Sequence, residues 1–395
     1  MIAPARRAAY EVVRRVFEQD AYADRAFRGA AAALDDRDRA LARRIAYGTI
    51  QRVRTIDHGI DELGRRPTRK LDPPVLAALR IGAYQLGWLD HVPAHAAVSD
   101  SVELVRRAGL ERAVPFTNAV LRRLSEGFRP LLEELPEGPL LHSYPDWIGE
   151  VWERDLGREQ ALALMRAQNE PPESVVRGDV PGEPTDVPGA VRVERVEEVW
   201  IEQGRAFPIS RASQLAALCV GAGGRVLDLC AAPGGKTSML LGDEVVAVEL
   251  NEGRAAELRE NLQRLGRDDV RVRVGDARTF PESGFDRALV DAPCSGLGVL
   301  AARPDLRWRA RPLPELQLEL LSAAAERVRP GGTIVYSVCT INADENEAVV
   351  DASGLDVDPL GEEWPAFRHP RRPEFLLTLP HVHRTSGFFV ARLRA

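Results

Sequence analysis

Apolar residues recur every three or four positions through the first third of the chain. In ARRAAYEVVRRVFEQ, Ala9, Val12, Val13, Val16 and Phe17 share one helical face and arginines fill the other. DDRDRALARRIAYGTIQRV keeps this period behind an acidic start, which suits the positive end of a helix. DPPVLAALRIGAYQLGWL places proline at the first helical positions, SDSVELVRRAG opens with a Ser-x-x-Glu-like cap and ends at glycine, and FTNAVLRRLSE adds another segment. Residues 4–127 therefore predict a bundle of about five to seven helices.

The pattern then changes twice. PDWIGEVWERDLGREQALALMRAQNE predicts one or two helices, the stretch from Pro171 to Gly189 is rich in proline, glycine and acids, and VRVERVEEVW alternates as a strand does. From Arg211 onward, short apolar runs alternate with amphipathic segments. The expected strands are RVLDLC (225–230), EVVAVEL (244–250), VRVRV (270–274), FDRALVD (285–291) and GTIVYSVC (332–339). The segments between them include NEGRAAELRENLQRLG and PLPELQLELLSAAAERVRPGG, and FLLTLP with GFFVARLR predicts a terminal hairpin. This alternation is the signature of a mostly parallel sheet. The expected division is an all-α domain over 1–130, a small α+β connector over 131–210 and an α/β domain over 211–395.

A length of 395 residues fits two or three domains, and 45% hydrophobic with 28% charged residues fits a soluble globular protein. No signal peptide and no membrane span are expected. Cys219, Cys230, Cys294 and Cys339 are too scattered for a disulfide framework or a zinc site, so no metal and a reducing cytoplasm are expected. The net charge of −6 hides an asymmetry: residues 1–130 hold 23 Lys and Arg against 16 Asp and Glu, the remainder 30 against 43. A basic first third keeps a nucleic-acid partner open despite the acidic total. Solvated faces of arginine-rich helices explain that charge equally well.

Chemistry concentrates where strands end. DLCAAPGGKTS (228–238) resembles a phosphate loop at its Gly-Lys-Thr end, but Cys230 stands where a Walker A loop needs glycine, which disfavours ATP. What remains is a strand entering a tight Gly-Gly turn that opens a helix. The second strand ends at Glu249, placed to accept from ribose hydroxyls, and the third is followed by Gly275-Asp276-Ala277-Arg278, whose acid suits an adenine amino group. The fourth ends in Asp291-Ala292-Pro293-Cys294-Ser295-Gly296 and the fifth in Ser337-Val338-Cys339-Thr340. A ribosyl adenine without polyphosphate points to S-adenosylmethionine, with NAD still open. No GxGxxG is present, however, and NAD leaves two strand-tip cysteines without a use.

Carbon 5 of cytosine is a poor nucleophile until a thiolate adds at carbon 6. A thiol near basic groups or a helix N-terminus is suited to that addition, and Asp291 is suited to the N3/N4 edge of the activated ring. Nothing in the residues alone decides which cysteine attacks. Lys236 fits a substrate or cofactor contact, or a salt bridge.

These motifs resemble the RNA 5-methylcytosine methyltransferases of the NOL1/NOP2/Sun family, most of all the bacterial branch that modifies small-subunit ribosomal RNA. The likeness rests on Cys230-Ala231-Ala232-Pro233-Gly234-Gly235-Lys236-Thr237, on Asp291 to Gly298, and on Tyr336-Ser337-Val338-Cys339-Thr340 followed by Glu345-Asn346-Glu347. ALARRIAYGTIQR and LRIGAYQL are similar to a NusB-type RNA-binding domain. The resemblance implies a Rossmann-like catalytic domain in which Cys230, Ala231, Ala232, Pro233, Gly234, Gly235, Lys236, Glu249, Asp276 and Asp291 contact S-adenosylmethionine. It further implies that Cys339 attacks, that Cys294 aids product release, and that the partner is 16S ribosomal RNA; a monomer is expected. Two departures stand out: Ala301-Ala302 replaces a usual basic pair, and Ser-Val-Cys-Thr replaces Ser-Thr-Cys-Ser. The alanine pair bears on the target RNA more than on the reaction. A transfer RNA target and a non-catalytic RNA-binding or antitermination-type factor are the alternatives, the latter requiring a broken cofactor loop or lost cysteines.

Overall fold

The apolar period of the first third becomes seven consecutive helices in the computed structural model, which describes residues 2–395. They are α1 (Pro4–Glu18), α2 (Ala23–Ala30), α3 (Asp36–Gln51), α4 (Val53–Gly64), α5 (Pro73–Trp88), α6 (Ala94–Arg107) and α7 (Val114–Glu134). α1 buries Ala5, Ala8, Ala9, Val12, Val13 and Val16, the stripe its spacing predicts. The Asp35 carboxylate caps α3 by accepting from the Asp38 N–H at 2.8 Å. One start differs from expectation. α6 begins at Ala94 behind Pro93, before the Ser-Asp-Ser segment, because proline sets the entry and Ala-His-Ala-Ala continues a helix without strain. Each core leucine or isoleucine contributes about 1.5–3 kcal/mol by leaving water.

Three further helices, α8 (Pro139–His142), α9 (Asp146–Leu156) and α10 (Arg158–Ala167), complete a compact unit that runs to Asn169. This unit also takes in Leu300–Arg309, a segment that leaves the sheet-bearing part of the chain. Arg307 in that segment is fully buried. Its guanidinium donates to the carbonyls of Gln51 (3.1 Å), His142 (3.3 Å), Ser143 (3.2 Å) and Gln168 (2.9 Å), and its Cζ lies 3.9 Å from the Tyr144 ring centroid. Burial among neutral groups pushes its pKa down to about 10. Trp308 Nε1 donates to the Ile50 carbonyl at 2.7 Å.

The second unit holds Glu170–Val299 and Ala310–Ala395. It opens with an antiparallel sheet of β1 (Val175–Gly178), β2 (Glu183–Pro184), β3 (Ala190–Arg192) and β4 (Ala206–Pro208), in the order β2-β3-β1-β4. The strand expected over VRVERVEEVW stops at Arg192, and its second half forms α11 (Glu198–Glu202). The segment expected as a connector over 131–210 thus contributes helices to the first unit and strands to the second.

The large sheet contains β5 (Arg225–Asp228), β6 (Glu244–Glu249), β7 (Arg271–Val274), β8 (Phe285–Asp291), β9 (Val328–Val338), β10 (Asp356–Val357), β11 (Leu376–Thr378) and β12 (Phe388–Arg394). Its order is β10-β12-β9-β8-β5-β6-β7, with β11 paired to β12. β5 through β9 are mutually parallel, and β12 runs antiparallel to both β9 and β11, so the tail does form the expected hairpin. Val226, Leu227, Val245 to Val248 and Ala288 to Val290 are buried as continuous runs, as in strands covered on both faces. α12 (Arg211–Leu218), α13 (Glu252–Arg264), α14 (Pro314–Arg327), α15 (Glu347–Ser353) and α16 (Pro380–His383) supply the helical partners.

One expectation fails here. The Gly-Gly turn after β5 opens no regular helix, only a single 3₁₀ turn over Thr237–Met239. β6 begins at Glu244, and the short span between leaves no room for more.

Candidate active site

The parallel run β9-β8-β5-β6-β7 brings five carboxyl ends to one edge, where open α/β sheets bind their ligands. β5 delivers the loop Cys230-Ala231-Ala232-Pro233-Gly234-Gly235-Lys236. The loop is stitched to its neighbour by the Ala231 N–H donating to the Val248 carbonyl at 3.1 Å. Gly234 sits at φ +106, a conformation that side chains rarely adopt, and a Cβ there would come within 2.8 Å of Leu258.

Behind the loop lies Asp228, 1% exposed. Thr237 Oγ1 donates to its carboxyl at 2.8 Å and the Cys230 N–H at 3.3 Å. Burial pushes the Asp228 pKa up to about 7 against these bonds, with nearby Asp291 adding to the rise. The Cys230 thiol is likewise pushed up by burial and by neighbouring carboxylates, as is Cys219 by burial, so neither is an activated nucleophile.

Glu249 ends β6 with 5% exposure, accepts from the Asn251 N–H at 3.0 Å, and lies 3.6 Å from Arg254. Arg254 also donates to the Ala232 carbonyl at 2.8 Å, tying the cofactor-type loop to this acid. The Gly275 N–H donates to the Glu249 carbonyl at 3.1 Å, which sets the Asp276 turn beside it. Asp276 accepts from the Arg278 side chain at 2.6 Å and from its backbone N–H at 2.9 Å, and the Arg278 guanidinium lowers the pKa of its carboxyl.

On the other side of β5 the thiols meet. Cys294, from the loop after β8, and Cys339, at the tip of β9, have their Sγ atoms 3.4 Å apart, and both are half-buried free cysteines. That separation is a thiol hydrogen bond and no disulfide. One proton shared between two sulfurs makes their ionisations opposite. The bond between the sulfurs, burial and the negative charge of Glu345 push Cys294 well up, whereas the same bond and the nearby Lys236 ammonium bring Cys339 down. The arrangement favours Cys339 as the thiolate and Cys294 as the thiol.

Asp291 stands beside the pair. Its carboxylate accepts from Lys236 Nζ and from Ser337 Oγ, each at 2.8 Å, and the Lys236 ammonium also lies 4.9 Å from the Phe388 ring centroid. Of the alternatives open for Lys236, the structure holds the salt bridge. Lys236, Asp291, Cys294 and Cys339 thus form one cluster, with Glu249 and Asp276 together across β5 and β6 at the same edge.

Reading the sequence alone missed Asp228 and Gln317, and left Ser337 and Glu345 as parts of motifs with no task. Asp228 ends a buried strand beside the glycine turn and could have been suspected. The other three owe their places to partners distant in sequence. Among the described residues, no group of three or more His, Cys, Asp or Glu could hold a metal ion, and no helix is long and apolar enough to cross a membrane.

Comparison with known proteins gives two family matches. Residues 216–394 match the family described as 16S rRNA methyltransferase RsmB/F, and residues 3–126 match the NusB family. The chain is 39% identical over 370 residues to ribosomal RNA small subunit methyltransferase B of Thermus thermophilus, covering 90% of this chain and 85% of that protein. It is 31% identical over 401 residues to the protein of the same name from Escherichia coli, covering 91% of each. Among solved structures, that of PH0851 shares the fold with a TM-score of 0.81 at 24% identity, covering 100% of this chain and 99% of that one.

Proposed function

The chain belongs to the ribosomal RNA small subunit methyltransferase B family, and from that premise we propose that it transfers a methyl group from S-adenosylmethionine to carbon 5 of a cytosine in 16S ribosomal RNA, through a covalent bond between Cys339 and carbon 6 of the base. The coarse reading is already given by that membership: an RNA methyltransferase with an N-terminal helical NusB-like domain followed by a mixed α/β methyltransferase domain.

The donor set at the sheet edge fits S-adenosylmethionine. Glu249 and Asp276 offer acceptors to ribose hydroxyls and an adenine amino group. With Asp291 they make a row of carboxylate acceptors, each balanced by a cation (Arg254, Arg278 and Lys236), and Cys230 stands where a triphosphate loop needs glycine. Residues 230–236, Glu249, Asp276 and Asp291 would hold the cofactor, which supplies an electrophilic methyl group when bound.

The residues of the chain do the rest. The Cys339 thiolate adds to carbon 6, and the electron pair of the ring double bond moves to carbon 5, which becomes nucleophilic. Asp291 is held in place by Lys236 and Ser337, and it accepts from the N4 edge of the base to stabilise the activated ring. After methylation the carbon-5 proton leaves to a base. The double bond reforms and Cys339 departs as a thiolate, with Cys294 assisting that release. The base must stand out of its stack for both faces of chemistry to reach it, and the arginine-rich helical domain supplies backbone contacts that present it.

The observation that carries this reading is the 3.4 Å approach of two free thiols beside the Lys236–Asp291 pair. The test uses purified protein, a 16S ribosomal RNA transcript and methyl-labelled S-adenosylmethionine. Cys339→Ala is expected to abolish methyl transfer while binding cofactor normally, and Cys294→Ala to leave a protein–RNA adduct on denaturing gels. Normal turnover by Cys339→Ala would overturn the assignment. Bisulfite mapping of total RNA with and without the gene separates a ribosomal from a transfer RNA target.

A further inference from the structure

Glu345 is a fully buried acid with 0% exposure, lying just beyond the tip of β9. Its Oε1 accepts from the Ser295 N–H (2.9 Å), the Leu313 N–H (3.1 Å) and Gln317 Nε2 (2.9 Å). Its Oε2 accepts from Ser295 Oγ, Thr340 Oγ1 (3.5 Å) and Asn342 Nδ2 (3.3 Å). Tyr336 Oη donates to its carbonyl at 2.6 Å.

These donors come from separate parts of the chain. Ser295 follows Cys294, Thr340 follows Cys339, and Leu313 and Gln317 belong to the start of α14. Gln317 Nε2 also donates to the Pro293 carbonyl at 2.9 Å, and Ser295 Oγ meets Thr340 Oγ1 at 2.8 Å. Every donor is uncharged. An anion taken out of water without a cation is costly, and here six hydrogen bonds offset the cost at one place only.

We infer that Glu345 is a positioning residue for the two thiols: its carboxylate clamps the residue after Cys294 to the residue after Cys339, and its charge keeps their shared proton on Cys294. The inference rests on the thiol chemistry proposed above. A hydrophobic contact would hold the loops together but would leave the proton indifferent between two like sulfurs. The Glu345 carboxylate, held against Ser295 beside Cys294, and the Lys236 ammonium, which favours ionisation of Cys339, break that symmetry. The other titratable or charged groups facing the pair are Asp291 from the tip of β8 and Tyr336 from β9. Asp291 opposes ionisation of Cys339 and is itself countered by Lys236 at 2.8 Å. The Glu345 carboxylate is bonded to Ser295 through both its N–H (2.9 Å) and its Oγ but meets Thr340 only at 3.5 Å, and its negative charge adds to the rise of Cys294.

The experiment measures alkylation of each cysteine by iodoacetamide across pH 5 to 9.5, read by peptide mass, on the full chain without RNA. In the unaltered protein Cys339 reacts first, with a midpoint below that of a free thiol, and Cys294 lags. Glu345→Gln keeps the shape but removes the charge. It is expected to slow Cys339 alkylation at pH 7 about tenfold or more, to bring Cys294 into competition, and to lower kcat for methyl transfer by about 10- to 100-fold with KM for RNA within about twofold. Should Glu345→Gln melt too early to assay, Ser295→Ala removes one of the carboxylate's six bonds together with the Ser295–Thr340 contact and leaves the charge. It is then expected to lower kcat about fivefold or more while the alkylation midpoint of Cys339 stays in place. A folded Glu345→Gln protein with unaltered alkylation order and unaltered kcat would overturn the inference, as would a Ser295→Ala protein with unaltered kcat. Failure of the parent reading is seen separately, as methyl transfer that survives Cys339→Ala.

Discussion

Two side chains of opposite charge, Lys236 and Glu345, flank the sulfurs. The Lys236 ammonium favours a thiolate at Cys339 and also holds Asp291. Lys236→Met is therefore expected to move the acid limb of the pH–kcat profile upward and to lower kcat at pH 7 by about tenfold or more. The check is methyl transfer from pH 6 to 9.5, where partial recovery at high pH marks a thiol that ionises late. Asp228 makes a prediction of another kind. Its folded carboxyl keeps a proton up to about pH 7, whereas an unfolded one does so only to about 4. The stability this confers is complete below pH 4 and is lost as pH rises through 7. Asp228→Asn removes the titration, so its Tm is expected to fall less than that of the unaltered protein between pH 5 and 8 in calorimetry. The strand-tip residues Glu249, Asp291 and both cysteines were legible because each closes an apolar run. The division of labour between the thiols was not, since the Glu345 clamp draws on Ser295, Leu313 and Gln317, between 28 and 50 positions away.

Loops between strands carry the geometry. The segment bearing Cys294 continues to Gly298, whose N–H donates to the Cys339 carbonyl at 3.0 Å and whose carbonyl accepts from the Gly387 N–H at 2.7 Å. A Cβ on Gly298 would lie 1.9 Å from the Gly387 carbonyl oxygen, so the chain crosses itself here with backbone against backbone. Gly298→Ala is expected to push the two segments apart, lowering stability by about 1–3 kcal/mol in urea titration and methyl transfer at least about tenfold. Strands were readable from apolar runs bounded by glycine and acids. The turn after β5 was not, because a Gly-Gly pair before polar residues looks like a helix start until β6 is seen to begin at Glu244. The true start of α6 was hidden in the same way, by a serine-rich stretch that reads as a cap while Pro93 sets the boundary.

At the scale of the molecule, the chain is two compact units that do not follow one another in sequence, since Leu300–Arg309 is counted with the first. Arg307 satisfies four backbone carbonyls there, so Arg307→Met leaves acceptors buried without donors. It is expected to lower stability by about 3 kcal/mol or more, read as a shift of the urea midpoint. No periodicity in the sequence announces that excursion, because a short loop arginine carries no pattern. Domains commonly fold as they leave the ribosome, the N-terminal one first. Here the helical unit must wait with an open slot among Gln51, His142, Ser143 and Gln168 until translation has passed residue 309, by which time β5 through β8 are already synthesised. Maturation of the first unit is thereby timed by the second, and an amber stop anywhere between codons 170 and 307 would release a bundle that still lacks its own keystone.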